Sequence, residues 1–122
     1  MSDLSIPHIA IIGGGAAGLM AADILRVYPV QVSLYEAKPS VGRKFLLAGK
    51  GGMNITHSED FGAFCQRYGA EKPFLQPMLE QFNNQAVRDW MQGLGFDSFV
   101  GSSGRVFPTD MRAAPLLRAW LH

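Results

Sequence analysis

The hexapeptide Gly13-Gly14-Gly15-Ala16-Ala17-Gly18 decides the fold of this chain. It has the spacing G-x-G-x-x-G and ends an apolar, β-branched run over 8–13 that is typical of a strand buried on both faces. Good helix formers follow over 15–27, and apolar residues alternate with others over 30–36. Because strand, helix and strand follow one another within about 30 residues, the sequence predicts a right-handed βαβ unit over 8–36.

Each glycine of this motif has a mechanical role. Gly13 permits the tight turn out of the strand, Gly15 lets backbone N–H groups approach a diphosphate, and Gly18 lets the helix lie close to the strand. A diphosphate bound there lies at the positive N-terminus of the helix. The motif therefore predicts a dinucleotide site, and the alternative is a glycine-rich turn that binds nothing.

An acidic residue completes the pattern. Glu36 ends the second predicted strand, and 17 residues separate it from Gly18. A carboxylate at this place accepts hydrogen bonds from the adenosine ribose hydroxyls and repels a 2′-phosphate, which disfavours NADP. FAD and NAD share the same ADP half, so these residues alone leave both cofactors open.

Residues 37–55 show neither hydrophobic period, and residues 37–57 are predicted to form a loop beside the cofactor, either ordered and functional or flexible. Arg43 and Lys44 are either ligands of the diphosphate oxygens or a solvated pair. Residues 48–56 offer backbone amides, the Asn54 carboxamide and the Thr56 hydroxyl to the edge of a flavin ring. The alternative for Thr56 is structural, because residues 56–59 read as a capping box that opens the next helix.

The remaining chain predicts short elements. Helical periods over 61–68, 75–82 and 87–94, the last behind the cap Asn84, indicate three helices within a helical segment 58–95. Residues 96–122 predict a hairpin with a glycine-containing turn at 101–104, followed by a helix over 113–121.

Length and composition limit the classes of function that are possible for this chain. With 122 residues, the chain is one domain or part of one, and its net charge of +1 without a basic run argues against nucleic acid as a partner. The longest stretch without a charged residue or a histidine has 14 residues, too few to span a membrane. Residues 1–5 contain no Lys or Arg to open a secretory signal, so we expect a cytoplasmic protein.

Cysteine and histidine usage predicts no metal site. The single cysteine, Cys65, excludes an internal disulfide and is interpreted as a small core residue. His8, His57 and His122 share no metal-ligand spacing with acidic residues or with the cysteine.

Three stretches of the sequence resemble the BaiN-like family of bacterial flavoproteins, described as NAD(P)/FAD-dependent oxidoreductases. They are I-A-I-I-G-G-G-A-A-G-L-M-A-A from Ile9, G-R-K-F-L-L-A-G-K-G-G-M-N-I-T-H-S-E from Gly42, and S-S-G-R-V-F-P-T-D-M-R-A-A-P-L-L-R-A-W-L from Ser102. The resemblance implies an α/β, Rossmann-like FAD-binding domain of the two-dinucleotide-fold type. It also implies that residues 1–122 are the N-terminal part of a longer protein and an incomplete domain.

The resemblance implies FAD as cofactor, allows NAD(P)H as electron donor and leaves the small-molecule substrate and the catalytic residues open. By this resemblance the FAD pyrophosphate is contacted by Gly13, Gly15, Ala16, Ala17 and Gly18, and the ribose by Glu36. Arg43 and Lys44 lie at the neighbouring cofactor surface. The loop on the flavin side contributes Gly52, Asn54 and Thr56. Many relatives carry Gly-Gly-Arg-Cys-Asn where this chain has Gly51-Gly52-Met53-Asn54, so a cysteine-dependent step beside the flavin is not expected. Arg105 either faces the substrate side or is a surface residue.

The sequence thus predicts the FAD-binding part of a flavin-dependent oxidoreductase. The alternatives are an NAD-binding dehydrogenase module and a catalytically silent nucleotide-binding domain. Because only two strands of a parallel sheet are predicted, we expect the 122 residues alone to be inactive, to bind flavin weakly and to self-associate.

Overall fold

The computed structural model of the protein describes residues 5–122. Residues 1–4, which contain most of the segment used to argue against a secretory signal, lie outside the described residues. The chain divides into two compact units, Met1–Leu47 and Ala48–His122, and each is described by itself. None of the helices within 5–122 is long and apolar enough to cross a membrane.

The first unit is the predicted βαβ unit. Strand β1 (His8–Ile12) pairs in parallel with β2 (Gln31–Tyr35), and helix α1 (Ala16–Leu25) connects them. The two strands pair over their full length, from His8 opposite Gln31 to Ile12 opposite Tyr35. The α/β fold predicted from the sequence is therefore confirmed.

One face of this two-stranded sheet is open within its unit. The side chain of Ile12 is 81% exposed and that of Tyr35 is 55% exposed, although they lie opposite each other in the register. Side chains alternate between the two faces of a strand. Ile11 accordingly lies on the other face, where its Cγ2 is within van der Waals reach of α1 at Gly18.

The prediction of a loop over 37–57 was wrong in two places. Helix α2 (Arg43–Ala48) and the two-residue strand β3 (Thr56–His57) both fall inside it. The apolar residues of α2 lie at the consecutive positions 45–48 and show no helical hydrophobic period, and α2 buries only one side chain, that of Phe45. Strand β3 exists because it pairs with a distant segment, a contact that no local pattern reveals.

The second unit contains a three-stranded antiparallel sheet in the order β3-β5-β4. Strands β4 (Ser98–Val100) and β5 (Arg105–Pro108) form the predicted hairpin. Its turn requires glycine at position 104, where φ is +87° and an added Cβ would lie 2.6 Å from the His57 ring.

The second unit also contains four helices, in the chain order α3 (Phe61–Gln66), α4 (Lys72–Gln81), α5 (Asn84–Gly93) and α6 (Ala113–Leu121), with a short 3₁₀ helix over Gly69–Glu71. Of these, α5 packs against strands β3 and β4. The three helices predicted between 58 and 95 and the final helix are confirmed. The side chains of Met91, Leu116 and Val106 are fully buried, and Cys65 is 1% exposed, as expected of a core residue.

The predicted helix caps were wrong by a few residues. Thr56 belongs to a strand, and α3 is instead capped by Asp60, whose Oδ1 accepts from the Ala63 N–H at 3.0 Å. Asn83, rather than Asn84, caps α5 and accepts from the backbone N–H three residues on at 2.8 Å. Neighbouring Asn and Asp residues are equally good caps in sequence, so only the backbone path selects one of them.

Candidate functional site

The turn between β1 and α1 is held by backbone contacts that demand glycine at two places. Gly13 has φ +105° and its N–H donates to the Tyr35 carbonyl at 2.7 Å, which ties the turn to the end of β2. A Cβ at Gly18 would lie 1.9 Å from the Gly13 carbonyl oxygen. The roles predicted for Gly13 and Gly18 therefore agree with the geometry of the turn.

Gly14 is a third position where the fold requires glycine, and the motif did not reveal it. Its added Cβ would lie 2.5 Å from Val41 Cγ1 and 3.2 Å from Leu34 Cδ2. The Gly14 carbonyl also accepts from the Gly42 N–H at 2.7 Å. The segment after β2 is thus packed directly against the glycine turn, a long-range contact invisible in a local motif.

Gly15 differs from these glycines because neither its backbone conformation nor the packing of the described residues requires glycine at this position. Its φ of −82° is open to any residue, and an added Cβ would have no atom of residues 5–122 within 4 Å. Gly15, Ala16 and Ala17 are exposed, none of the described side chains caps α1, and its first turn holds no acidic residue. The first N–H groups of a helix lack intrahelical acceptors. This bare, positively polarised end offers donors to an anion, with room left by the missing Cβ.

Glu36 lies beside this turn, immediately after β2. Its Oε1 accepts from the Gly14 N–H at 2.7 Å, and its Oε2 accepts from the Lys38 N–H at 2.8 Å. These two bonds, that from Lys38 first, hold the pKa of the Glu36 carboxyl below its ordinary value of 4.5, helped by the positive charge of Arg43. Each carboxylate oxygen retains a further acceptor site, and Glu36 is only half-buried, so the anion remains able to accept ribose hydroxyls.

Arg43 and Lys44 begin α2, and both side chains are exposed. The Arg43 Nε donates to the Ser40 Oγ at 3.1 Å, and within the described chain neither cation forms an ion pair. The two positive charges are therefore available to an anionic ligand.

The flavin-side residues predicted from the sequence belong to the second unit, whereas the other predicted site residues belong to the first. Gly52 has φ +138° and donates its N–H to the Gly49 carbonyl at 3.1 Å. The Asn54 amide, with its nitrogen turned towards the two carbonyls, donates to Thr56 O at 2.9 Å and to Val106 O at 3.3 Å. These bonds brace the start of β3 from within the unit.

Met53, in the stretch where no cysteine was expected, is a core residue. Its side chain is 4% exposed, and its sulfur would lie 2.9 Å from a Cβ added at Gly49. Its N–H donates to the Met111 carbonyl at 3.2 Å. The residue therefore contributes packing to the second unit.

Asn54 and Thr56 also line a half-open cavity of about 600 Å³ that lies entirely within the second unit. Arg105, for which the sequence left a substrate-side and a surface role open, is exposed and lines the same cavity. Asn84 is a supporting residue that the sequence analysis missed in this role. It is 6% exposed, and its Nδ2 donates to the carbonyls of His57 at 2.8 Å and Glu59 at 2.7 Å.

Comparisons with known proteins agree with this architecture. Residues 7–122 match the family described as HI0933-like protein Rossmann domain. The chain is 34% identical over 113 residues to the 3-dehydro-bile acid delta(4,6)-reductase of Clostridium scindens, a match that covers 90% of this chain and 27% of that protein. It is 39% identical over 67 residues to the carotenoid phi-ring synthase of Streptomyces griseus, covering 51% of this chain and 13% of the relative. The chain thus spans about a quarter or less of the length of these relatives.

Proposed function

The chain belongs to the HI0933-like Rossmann family, the flavoprotein family that its sequence resembles, and on this premise we propose that its first unit binds the ADP half of FAD. The whole protein is then a flavin-dependent oxidoreductase that acts on a small-molecule substrate. The curated relative that matches along 90% of the chain is named a reductase, which supports this reaction class.

The observation that carries the proposal is the contrast among the glycines of the turn. Packing explains glycine at positions 14 and 18, but an added Cβ at Gly15 would meet no atom of the part of the chain that the structure describes. A ligand in direct contact with the backbone at position 15 would explain why this position has no side chain. A diphosphate suits the N–H donors of the uncapped helix end.

Each part of the ADP half is proposed to contact a group of matching chemistry. The Gly15, Ala16 and Ala17 backbone carries the diphosphate, and the Glu36 carboxylate accepts the ribose hydroxyls with the acceptor sites left over from its backbone bonds. Arg43 and Lys44 supply positive charge nearby. FAD, when bound, supplies hydride or electron transfer, while the protein positions it and sets its electrostatic surroundings.

Binding of FAD, ADP and NAD to the purified chain tests the proposal. We expect saturable FAD binding, measured by quenching of flavin fluorescence, and competition by ADP at the same site. Two strands with an exposed sheet face form a small platform, so we expect weak affinity and concentration-dependent association. NAD binding without FAD binding would support the dehydrogenase module instead, and a chain that binds none of the three would contradict the proposal.

A further inference from the structure

The cavity of the second unit has the size and lining of a small-molecule site. Its volume of about 600 Å³ is typical of ligand pockets, which span roughly 300–1,000 Å³. All of its lining residues lie between 54 and 105, so it does not include the diphosphate site. Its apolar lining consists of Ile55, Phe64, Tyr68, Leu79, Phe82 and Val87.

Two of the basic residues in the lining are already engaged by the protein. Arg67 donates from Nε and Nη2 to the Glu59 carboxylate, the second bond being 3.0 Å long. His57 accepts the Glu59 N–H at Nδ1, at 3.1 Å, and its Nε2 lies 3.2 Å from the Ser103 carbonyl. Neither side chain is therefore free to neutralise a ligand.

Arg105 is the basic residue of the lining that the protein leaves unsatisfied. Its contact with the Ser103 Oγ is long, at 3.4 Å, and no carboxylate among the described residues pairs with it. A guanidinium presents several N–H donors in a fork that matches a carboxylate. The cavity thus combines apolar walls with one guanidinium group, that of Arg105, whose N–H donors are available to a ligand.

The walls around this charge are held in place before any ligand arrives. Asn84 ties α5 to the end of β3 and the residues after it through two hydrogen bonds, and the His57 ring lies against Gly104, where a Cβ would not fit. Preformed walls lower the entropy lost on binding.

We propose that this cavity binds an anionic small molecule with an apolar body, whose carboxylate is received by Arg105. The ligand class follows from the charge and lining of the second unit alone. The proposal is therefore independent of FAD binding by the first unit.

The test uses the whole chain and two fluorescent probes of nearly equal shape, pyrenebutyrate and pyrenebutanol, which differ in charge. We expect Arg105→Gln to weaken pyrenebutyrate about five- to tenfold, the size of a partly exposed charged contact, while pyrenebutanol changes less than about twofold. Arg118→Gln is the matched control, because it removes the same charge from α6 outside the cavity lining. Leu79→Trp adds bulk to the cavity wall and should weaken both probes.

Circular dichroism of each variant verifies that it is folded before its dissociation constants are compared. Equal losses of pyrenebutyrate affinity in Arg105→Gln and Arg118→Gln would overturn the proposal, as would unchanged binding in a folded Leu79→Trp variant. Absence of saturable binding of pyrenebutyrate to the unmodified chain would overturn it as well. Displacement of the probe by FAD would show that the cavity holds the cofactor and would have the same consequence.

Discussion

Replacing Gly18 by alanine should destabilise the chain, because the new methyl group has no space. Its Cβ would lie 1.9 Å from the Gly13 carbonyl oxygen and 3.3 Å from Ile11 Cγ2, whereas Cβ contacts below 3.0 Å are essentially never seen. Relief requires α1 to move away from β1 by more than an ångström, since the opposing atom belongs to the backbone. Overpacking of this severity costs about 3 kcal/mol, and the better helix propensity of alanine returns about 1 kcal/mol. We expect a net loss near 2 kcal/mol.

Gly15→Ala is the matched control, with the opposite expected profile. The added methyl group meets no atom of the described residues, and the backbone already has an ordinary φ of −82°. Alanine is a poorer N-cap than glycine by about 0.5–1 kcal/mol, but it restricts the unfolded chain by a similar 0.4–1 kcal/mol. Stability should therefore stay nearly constant, while affinity for ADP or FAD falls at least about tenfold because the methyl group occupies the ligand's place.

Urea unfolding followed by circular dichroism gives the free energy of unfolding, and calorimetric titration with ADP gives the affinity. The two variants should separate, Gly18→Ala losing stability and Gly15→Ala losing ligand affinity at full stability. If Gly15→Ala bound ADP as tightly as the unmodified chain, or if Gly18→Ala were as stable as that chain, the division of roles among these glycines would be refuted.

Further changes test the neighbouring contacts. Glu36→Ala should weaken ADP and FAD binding by about 1.5–3 kcal/mol through loss of charge-assisted hydrogen bonds, and an unchanged dissociation constant would remove Glu36 from the site. Asn84→Ala leaves two carbonyls without a donor and should lower the free energy of unfolding by about 1–3 kcal/mol, whereas the exposed Gln85→Ala should change it by less than about 0.5 kcal/mol. The hydrogen bond from Arg67 holds the pKa of the Glu59 carboxyl below its ordinary 4.5, so the stability from this pair is complete above pH 4.5 and is lost as pH falls through the lowered pKa. Glu59→Gln should flatten that acid limb of the melting-temperature profile, and an identical limb would contradict the assignment.

The sequence predicted the elements whose signals are local and long enough. The βαβ unit, the helices α3 to α6 and the hairpin all carry hydrophobic periods or glycine turns that can be read from neighbouring residues. Helix α2 was missed because its apolar residues are consecutive, and strand β3 was missed because two residues carry no period. Strand β3 forms by pairing with Val106 and Arg105. Elements defined by distant partners are those that local patterns miss.

In the candidate site, too, the features that depend on local spacing could be predicted and the contacts with distant residues could not. The turn glycines Gly13 and Gly18 and the position of Glu36 beside them could be predicted because they depend on spacing within one βαβ unit, whereas the ribose role of Glu36 stays a prediction. The requirement for glycine at position 14 depends on Val41, and the bracing by Asn84 depends on a segment more than twenty residues earlier in the chain. Neither interaction has a sequence motif, so both needed the folded structure.

The hydrogen bonds of Glu36 determine how its two functions can be separated. Its carboxylate accepts the Gly14 N–H before any ligand is present, so the acid that would hold the ribose is also a brace of the glycine turn. A group fixed in this way loses less entropy when it binds, which makes the site preorganised. It follows that Glu36→Ala should reduce both stability and affinity, whereas Gly15→Ala should reduce affinity alone. A Glu36→Ala chain with undiminished stability would mean that the carboxylate is positioned by the ligand, and the preorganised site would have to be abandoned.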